Sequence, residues 1–136
     1  KLTKYWKSGP KSFLGLLVPN FPNMFIVSGP GSPSVLTNVP VQIEQHVEWI
    51  TKCIKFLENN KKQSIESTNE AANKWQKEIM SSVKKTLFMK AKSSWYKGDN
   101  IPGKSKSFLP YPGGMPKYRK ACLNVEMNNY KELKII

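Results

Sequence analysis

Between Ser28 and Pro33 the chain reads SGPGSP, and this break constrains the fold more than any other feature. Upstream, Met24–Val27 is a continuous apolar run, which predicts a short strand buried on both faces, as in a parallel sheet. Downstream, Thr37 or Asn38 is a suitable N-cap, and Pro40 suits a first helical turn, where its missing N–H costs nothing. Ile43, Val47, Ile50, Ile54 and Leu57 then recur at spacings of four and three, which predicts one apolar helix face. His46, Trp49, Cys53 and Phe56 form a second stripe beside it, so the helix is expected to be buried on a wide front. Glu58–Lys62 ends it in solvent. A strand, a Gly/Pro break and a long helix can be a plain connection. They can also place a ligand at the junction, because a helix N-terminus presents unpaired N–H groups and partial positive charge.

The remaining elements follow by pattern. SFLGLL (12–17) is a short apolar run compatible with a strand. Ser67-x-x-Glu70 has the form of a capping box, and Ala71, Trp75, Ile79, Val83 and Leu87 repeat every fourth residue, which predicts a second amphipathic helix with Lys74, Lys77, Lys84 and Lys85 on its other faces. From Ser93 to Ala121 the chain is rich in Gly and Pro, and Trp95, Tyr96, Phe108 and Tyr111 argue that this long stretch docks rather than remains disordered. A short helix near Lys117–Met127 and a strand near Tyr130–Ile135 close the chain.

The 136 residues make about one small domain. A net charge of +13 invites a nucleic-acid reading, a basic binding module, but Arg119 is the only arginine and the lysines are dispersed from Lys1 to Lys134. We therefore expect no nucleic-acid partner. There is no apolar run of membrane-spanning length. Cys53 and Cys122 form no CxxC pair and there is one histidine, so no metal site is expected; both thiols read as small buried residues in a reducing, cytoplasmic compartment.

Candidate chemistry is sparse. The Gly29–Asn38 junction is the first site, although it lacks the GxxxxGK[ST] of a phosphate loop. WYKGDNIPGK (95–104) is the second: Trp95 offers a flat face and an indole donor, Asp99 and Asn100 polar groups and Lys104 a charge, a set that suits a nucleotide. The alternative is a surface loop pinned by a buried Trp95. His46 lies inside the first long helix, without a nucleophile or a facing carboxylate, and reads as a hydrogen-bonded core histidine. No residue of the chain is assigned a catalytic role.

Three stretches together, FPNMFIVSGPGSPSVLTNVPVQIEQHVEWI, WYKGDNIPGK and FLPYPGGMPKYRKAC, resemble the C-terminal part of flavin-dependent Baeyer–Villiger monooxygenases of the phenylacetone and cyclohexanone monooxygenase type. KYWKSGPKSFLGL resembles the segment before the first of them, so the likeness covers nearly the whole chain. It implies an α/β fold, the C-terminal portion of a two-Rossmann-domain flavoprotein: a buried strand, a Gly/Pro-rich flavin-facing loop, a long helix, a second amphipathic helix and a long cofactor-covering loop. Residues 1–60 would close the FAD-binding domain, and 61–136 would form a helical and irregular segment bearing the NADP-covering loop.

The implied cofactors are FAD and NADP, and the implied reaction turns a ketone and O2 into an ester or lactone. By resemblance, Gly29, Pro30 and Ser32 build the flavin-facing turn, Asn38 and Val39 lie near the flavin ring, and Trp95 reaches the nicotinamide nucleotide. Ser34, Val35 and Leu36 match the loop lining the ketone pocket. Val39 stands where the family often has Met, Pro40 where an aliphatic residue is usual, and Asp99 where a small residue is common. The family's GxGxxG motifs, its fingerprint and its active-site arginine belong upstream and are absent here. The chain is therefore expected to need partner FAD- and NADP-binding domains, and to be inactive alone. A non-catalytic fragment docking on a flavin domain is the alternative.

Overall fold

The computed structural model describes residues 1–91, 94–99, 102–103, 105 and 107–136. Asn100 and Lys104, proposed above as nucleotide contacts, lie outside the described residues. The elements are α1 (Leu2–Tyr5), α2 (Val39–Asn59), β1 (Ile65–Ser67), α3 (Asn69–Val83), α4 (Met115–Met127) and β2 (Leu133–Ile135), with 3-10 turns at Ser34–Leu36, Leu87–Lys90 and Trp95–Lys97.

The long helix forms where its caps place it. Asn38 is the N-cap, its side chain accepting from Val41 N, and Pro40 sits in the first turn. The buried face differs from the first expectation. Gln42, His46, Trp49, Cys53 and Leu57 are buried, whereas Ile43, Val47 and Ile54 are 38%, 50% and 42% exposed. The aromatic and polar stripe is the one with partners: α4 packs there, with Trp49 Nε1 donating to Cys122 O at 3.1 Å and the Trp49 ring edge-on to Tyr130. Of the aliphatic stripe, Ile43, Val47 and Ile54 face outward, while Leu57 is buried and Ile50 packs against the core.

The strand expected at Met24–Val27 is not formed. Phe25 makes a single bridge to Leu17, Ile26 N donates to Leu16 O, and Met24, Phe25 and Ile26 are only half-buried. Asn23 and Ser28 have φ of 57° and 56° and turn the backbone at both ends, which leaves four residues with one short neighbour. SFLGLL, read as a possible strand, is buried but forms a turn. Leu14 and Gly15 both have positive φ, and Phe13 and Leu17 bridge across them. Among the described residues the one sheet is the antiparallel pair β1–β2, Ile65 opposite Ile135, with Lys134 paired to Glu66 at 2.8 Å.

The N-cap of α3 is Thr68, one residue after the expected Ser67; Thr68 Oγ1 accepts from Ala71 N at 3.0 Å. The periodic pattern also overruns the helix. Thr86 Oγ1 donates to Val83 O at 2.7 Å and closes the last turn, so Leu87 lies outside and is 75% exposed while Phe88 packs inward. One hydrophobic core runs from Phe13 to Leu133 and joins α2, α3, α4 and the loop residues Phe108 and Tyr111.

Candidate functional site

The Ser28–Ser32 turn is held from every side. Ser12 Oγ donates to Pro30 O, Trp75 Nε1 to Gly31 O at 2.9 Å, and Ser32 Oγ to Gly29 O at 2.8 Å. Gly31 N donates to Leu109 O and Tyr111 N to Ser32 O, both at 2.7 Å. Gly29 lies against the 12–17 turn: a Cβ there would stand 2.5 Å from Gly15 O, a separation no side chain tolerates. α2 contributes from below. Gln42 Nε2 donates to Ser28 Oγ at 2.9 Å and to Ser32 Oγ at 3.2 Å, and His46 Nδ1 accepts from Ser28 N at 3.1 Å.

That last bond fixes the His46 tautomer. Nδ1 is bare because it accepts, so the proton of the neutral ring sits on Nε2 and points at Tyr118 Oη, 2.8 Å away; Tyr118 in turn donates to Leu14 O at 2.6 Å. Burial pushes the His46 pKa down to about 4 and holds the Tyr118 phenol well above its ordinary range. Both stay neutral at pH 7. His46 is thus the hydrogen-bonded core histidine its surroundings in the sequence suggested. Cys53 and Cys122 are free, buried thiols pushed up to about 12 and about 11 by burial. Among the described residues no cluster of His, Cys, Asp or Glu can hold a metal ion.

The second segment reaches the same place through two backbone links. Leu109 N donates to Tyr96 O at 2.8 Å while Leu109 O accepts from Gly31 N, so residues 107–111 tie the Trp95 turn to the Gly/Pro turn. Ser94 N donates to Asp99 Oδ1 at 2.7 Å, and Lys97 pairs with Asp99 at 3.3 Å. Trp95 itself is 48% exposed and stacks obliquely on Tyr96, centroids 4.2 Å apart. This corrects the alternative of a loop pinned by a buried Trp95: Tyr96 and Asp99 pin it, and the indole is left accessible.

Between the two segments lies a cleft of about 200 Å³, lined by Ser28, Gly29, Pro30, Ser34, Trp95, Leu109 and Pro110. Of the residues singled out from the sequence, Gly29, Pro30, Ser34 and Trp95 meet there. Ser32 is fully buried beneath the turn, and Asn38, Val39, Val35 and Leu36 lie beyond the lining. Ser28, Leu109 and Pro110 were not anticipated, nor was the role of Gln42; two polar residues four apart within an otherwise apolar helix stripe were the available signal. Among the described residues the lining is mostly apolar, with two serine hydroxyls and no cation. An apolar surface beside a half-exposed indole suits one face of a heteroaromatic ring. The volume is below the range of about 300–1,000 Å³ common for ligand pockets, so these residues alone do not enclose a ligand of ordinary size. A larger groove of about 480 Å³ between α3 and α4, lined by Lys74, Lys77, Glu78 and Asn124 among others, contains none of these residues.

No protein-family model matches the chain. It is 43% identical over 127 residues to cyclohexanone 1,2-monooxygenase of Acinetobacter sp, covering 93% of this chain and 23% of that protein. It is 41% identical over 128 residues to a Baeyer–Villiger monooxygenase of Pseudooceanicola batsensis, covering 94% and 23%. Cyclohexanone monooxygenase from Rhodococcus sp. Phi1, solved with NADP+, superposes with a TM-score of 0.92 at 37% identity, over 98% of this chain and 25% of that one. OTEMO, solved with FAD and NADP, gives a TM-score of 0.88 at 31% identity, over 100% and 24%. The fold is that of one segment of these monooxygenases. The chain belongs to the Baeyer–Villiger monooxygenase family and spans about 23% of the length of the curated relatives it matches.

Proposed function

We propose that this chain is the C-terminal portion of an FAD- and NADPH-dependent monooxygenase that inserts one oxygen atom of O2 beside a ketone carbonyl, giving an ester or lactone. The carrying observation is the cleft in which Gly29, Pro30 and Ser34 face Trp95. When bound, FAD and NADPH supply the electrons and the activation of O2. The chain's own residues shape and close the site. Gly29 and Pro30 hold a backbone surface against which a flat ring can lie. Ser34, Val35 and Leu36 border the ketone. Asn38 and Val39 bring the positive end of α2 close to the flavin ring, where partial charge favours an electron-rich group. Trp95 covers the nicotinamide side and keeps water from the ring face.

Residues 1–60 belong on this reading to the FAD-binding domain, and 61–136 carry the covering loop. The outward stripe of Ile43, Val47 and Ile54 is where the rest of that flavin domain packs: relatives of about four times this length must cover their apolar surfaces, and this face is uncovered here. The chain alone is inactive. The test uses the full-length protein, which should oxidise NADPH faster when a cyclic ketone is added and yield the lactone by mass spectrometry. Absence of flavin from that protein, or NADPH oxidation without an oxygenated product across linear and cyclic ketones, would refute the reading.

A further inference from the structure

Ser28 has φ of 56°, a left-handed backbone that a serine adopts only when its surroundings impose it. Here α2 imposes it. His46 Nδ1 takes the Ser28 N–H, and Gln42 Nε2 donates to the Ser28 hydroxyl oxygen. Neither contact is an accident of packing. Ser32 Oγ spends its proton on Gly29 O, so it can only accept from Gln42, which fixes the amide with Nε2 toward the turn. Gln42 Oε1 is then left buried with no partner among the described residues. A buried orphan acceptor costs stability. The fold carries that cost and in return places two donors on the turn. With Gln42 on its oxygen, the Ser28 hydroxyl keeps a proton for which the described residues offer no acceptor, and Ser28 lines the cleft.

We propose that Gln42 and His46 are positioning residues that aim the Ser28 hydroxyl as a hydrogen-bond donor to an acceptor atom of the heteroaromatic ring bound in the cleft. This rests on the monooxygenase reading above. Ser28 touches the ring; Gln42 and His46 act through it. Ring carbonyls and ring nitrogens of a flavin and a carboxamide oxygen of a nicotinamide are the same kind of acceptor, and the experiment separates them.

The test measures dissociation constants of FAD and of NADP+ in the full-length protein, together with melting temperature and hydrogen exchange over residues 24–36. Ser28→Ala should weaken one of the two cofactors about tenfold, the loss expected for one hydrogen bond, and leave the other unchanged. Gln42→Met, similar in volume but without a donor, should give the same loss, and the double variant no more than either single one, because both act on one hydroxyl. His46→Asn keeps an acceptor near the Nδ1 position and should retain affinity and slow exchange. His46→Gln places its amide toward Tyr118 instead and should lose both. Unchanged affinity for both cofactors in Ser28→Ala, or additive losses in the double variant, would overturn the proposal while leaving the monooxygenase reading intact. A full-length wild-type protein that binds neither cofactor overturns that reading first, and this one with it.

Discussion

The indole of Trp75 stacks on the ring of Tyr111, centroids 4.8 Å apart and 22° from parallel, and each residue holds the next step of the Gly/Pro turn. Trp75 Nε1 bonds Gly31 O, and Tyr111 N bonds Ser32 O. The core of α3 and the late loop thus meet at the site, so packing and site geometry are one structure here. Trp75→Phe keeps a ring to stack but leaves Gly31 O without its donor. It should cost about 1–3 kcal/mol of stability, and Trp75→Ala about 3–5 kcal/mol. Denaturant titration of both variants checks the order; a Trp75→Phe protein as stable as wild type would show that the hydrogen bond contributes nothing.

Gly29→Ala tests the contact between the two turns. Its Cβ would lie 2.5 Å from Gly15 O and 2.8 Å from an Ile26 methyl. Backbone cannot yield as a side-chain tip does, so the 12–17 and 28–32 turns must separate, at a cost of about 1–3 kcal/mol. Gly103→Ala, with nothing within 4 Å but φ of 78°, controls for backbone strain alone. A Gly29→Ala protein as stable as wild type would mean that the turns do not press on each other.

Acid should destabilise the fold in a defined window. His46 takes its proton near 6.5 when unfolded and at about 4 when folded, so its contribution is whole above pH 6.5 and is lost as pH falls toward 4. The size is on the order of 3 kcal/mol. Tyr118, the titratable group facing it, stays neutral throughout. The Lys117 hydrogen bond holds Glu78 below its usual value, and the stability this provides is lost only as pH falls below about 4.5. Between pH 7 and 4.5 the melting temperature of wild type should fall more steeply than that of His46→Asn, which has no proton to take up at this position. Parallel curves would remove His46 from the account.

What could be read from the sequence follows what is local. Asn38, Pro40 and the i, i+4 repeat of α2 act within a few residues, and the helix forms where they place it. Which stripe of α2 is buried depends on where α4 docks, and α4 is seventy residues away; the hydropathy of Ile43, Val47 and Ile54 carries no such information. The strand at Met24–Val27 failed for the same reason, since a buried strand needs neighbours that these residues cannot supply by themselves. At the site, Gly29, Pro30, Ser34 and Trp95 were legible by resemblance, whereas Ser28 and Gln42 emerge only when α2 is laid under the turn.

The outward aliphatic stripe of α2 makes its own prediction. Ile43, Val47 and Ile54 are spaced four and seven residues apart on one helix face and are half exposed. Without the flavin domain, the 136-residue chain should associate with itself through this face. Val47→Glu with Ile54→Glu should shift light scattering toward monomer without lowering the melting temperature, because neither side chain supports the core. In the full-length protein the same pair should lower flavin content, since charge is then placed within an apolar interface. A monomeric wild-type chain, or a full-length double variant with undiminished flavin, would show that the stripe is plain surface.

Trp95 decides between shelter and structure. Its ring is half exposed, its neighbour Tyr96 takes the contacts to Phe88, and Asp99 and Leu109 hold the turn without it. Trp95→Ala should therefore lower stability by less than about 1 kcal/mol, well short of the 3–5 kcal/mol of a buried tryptophan. In the full-length protein the same change removes a ring face and an indole N–H from the cleft. A loss of about 1–3 kcal/mol in NADPH affinity or in kcat/KM is expected, with flavin content unchanged. Hydrogen peroxide released per NADPH should rise as the covered site opens to water. Trp95→Phe keeps the ring and should recover most of the coupling but not the hydrogen bond. A large fall in melting temperature with normal NADPH kinetics would return Trp95 to the core and leave the cleft without its lid.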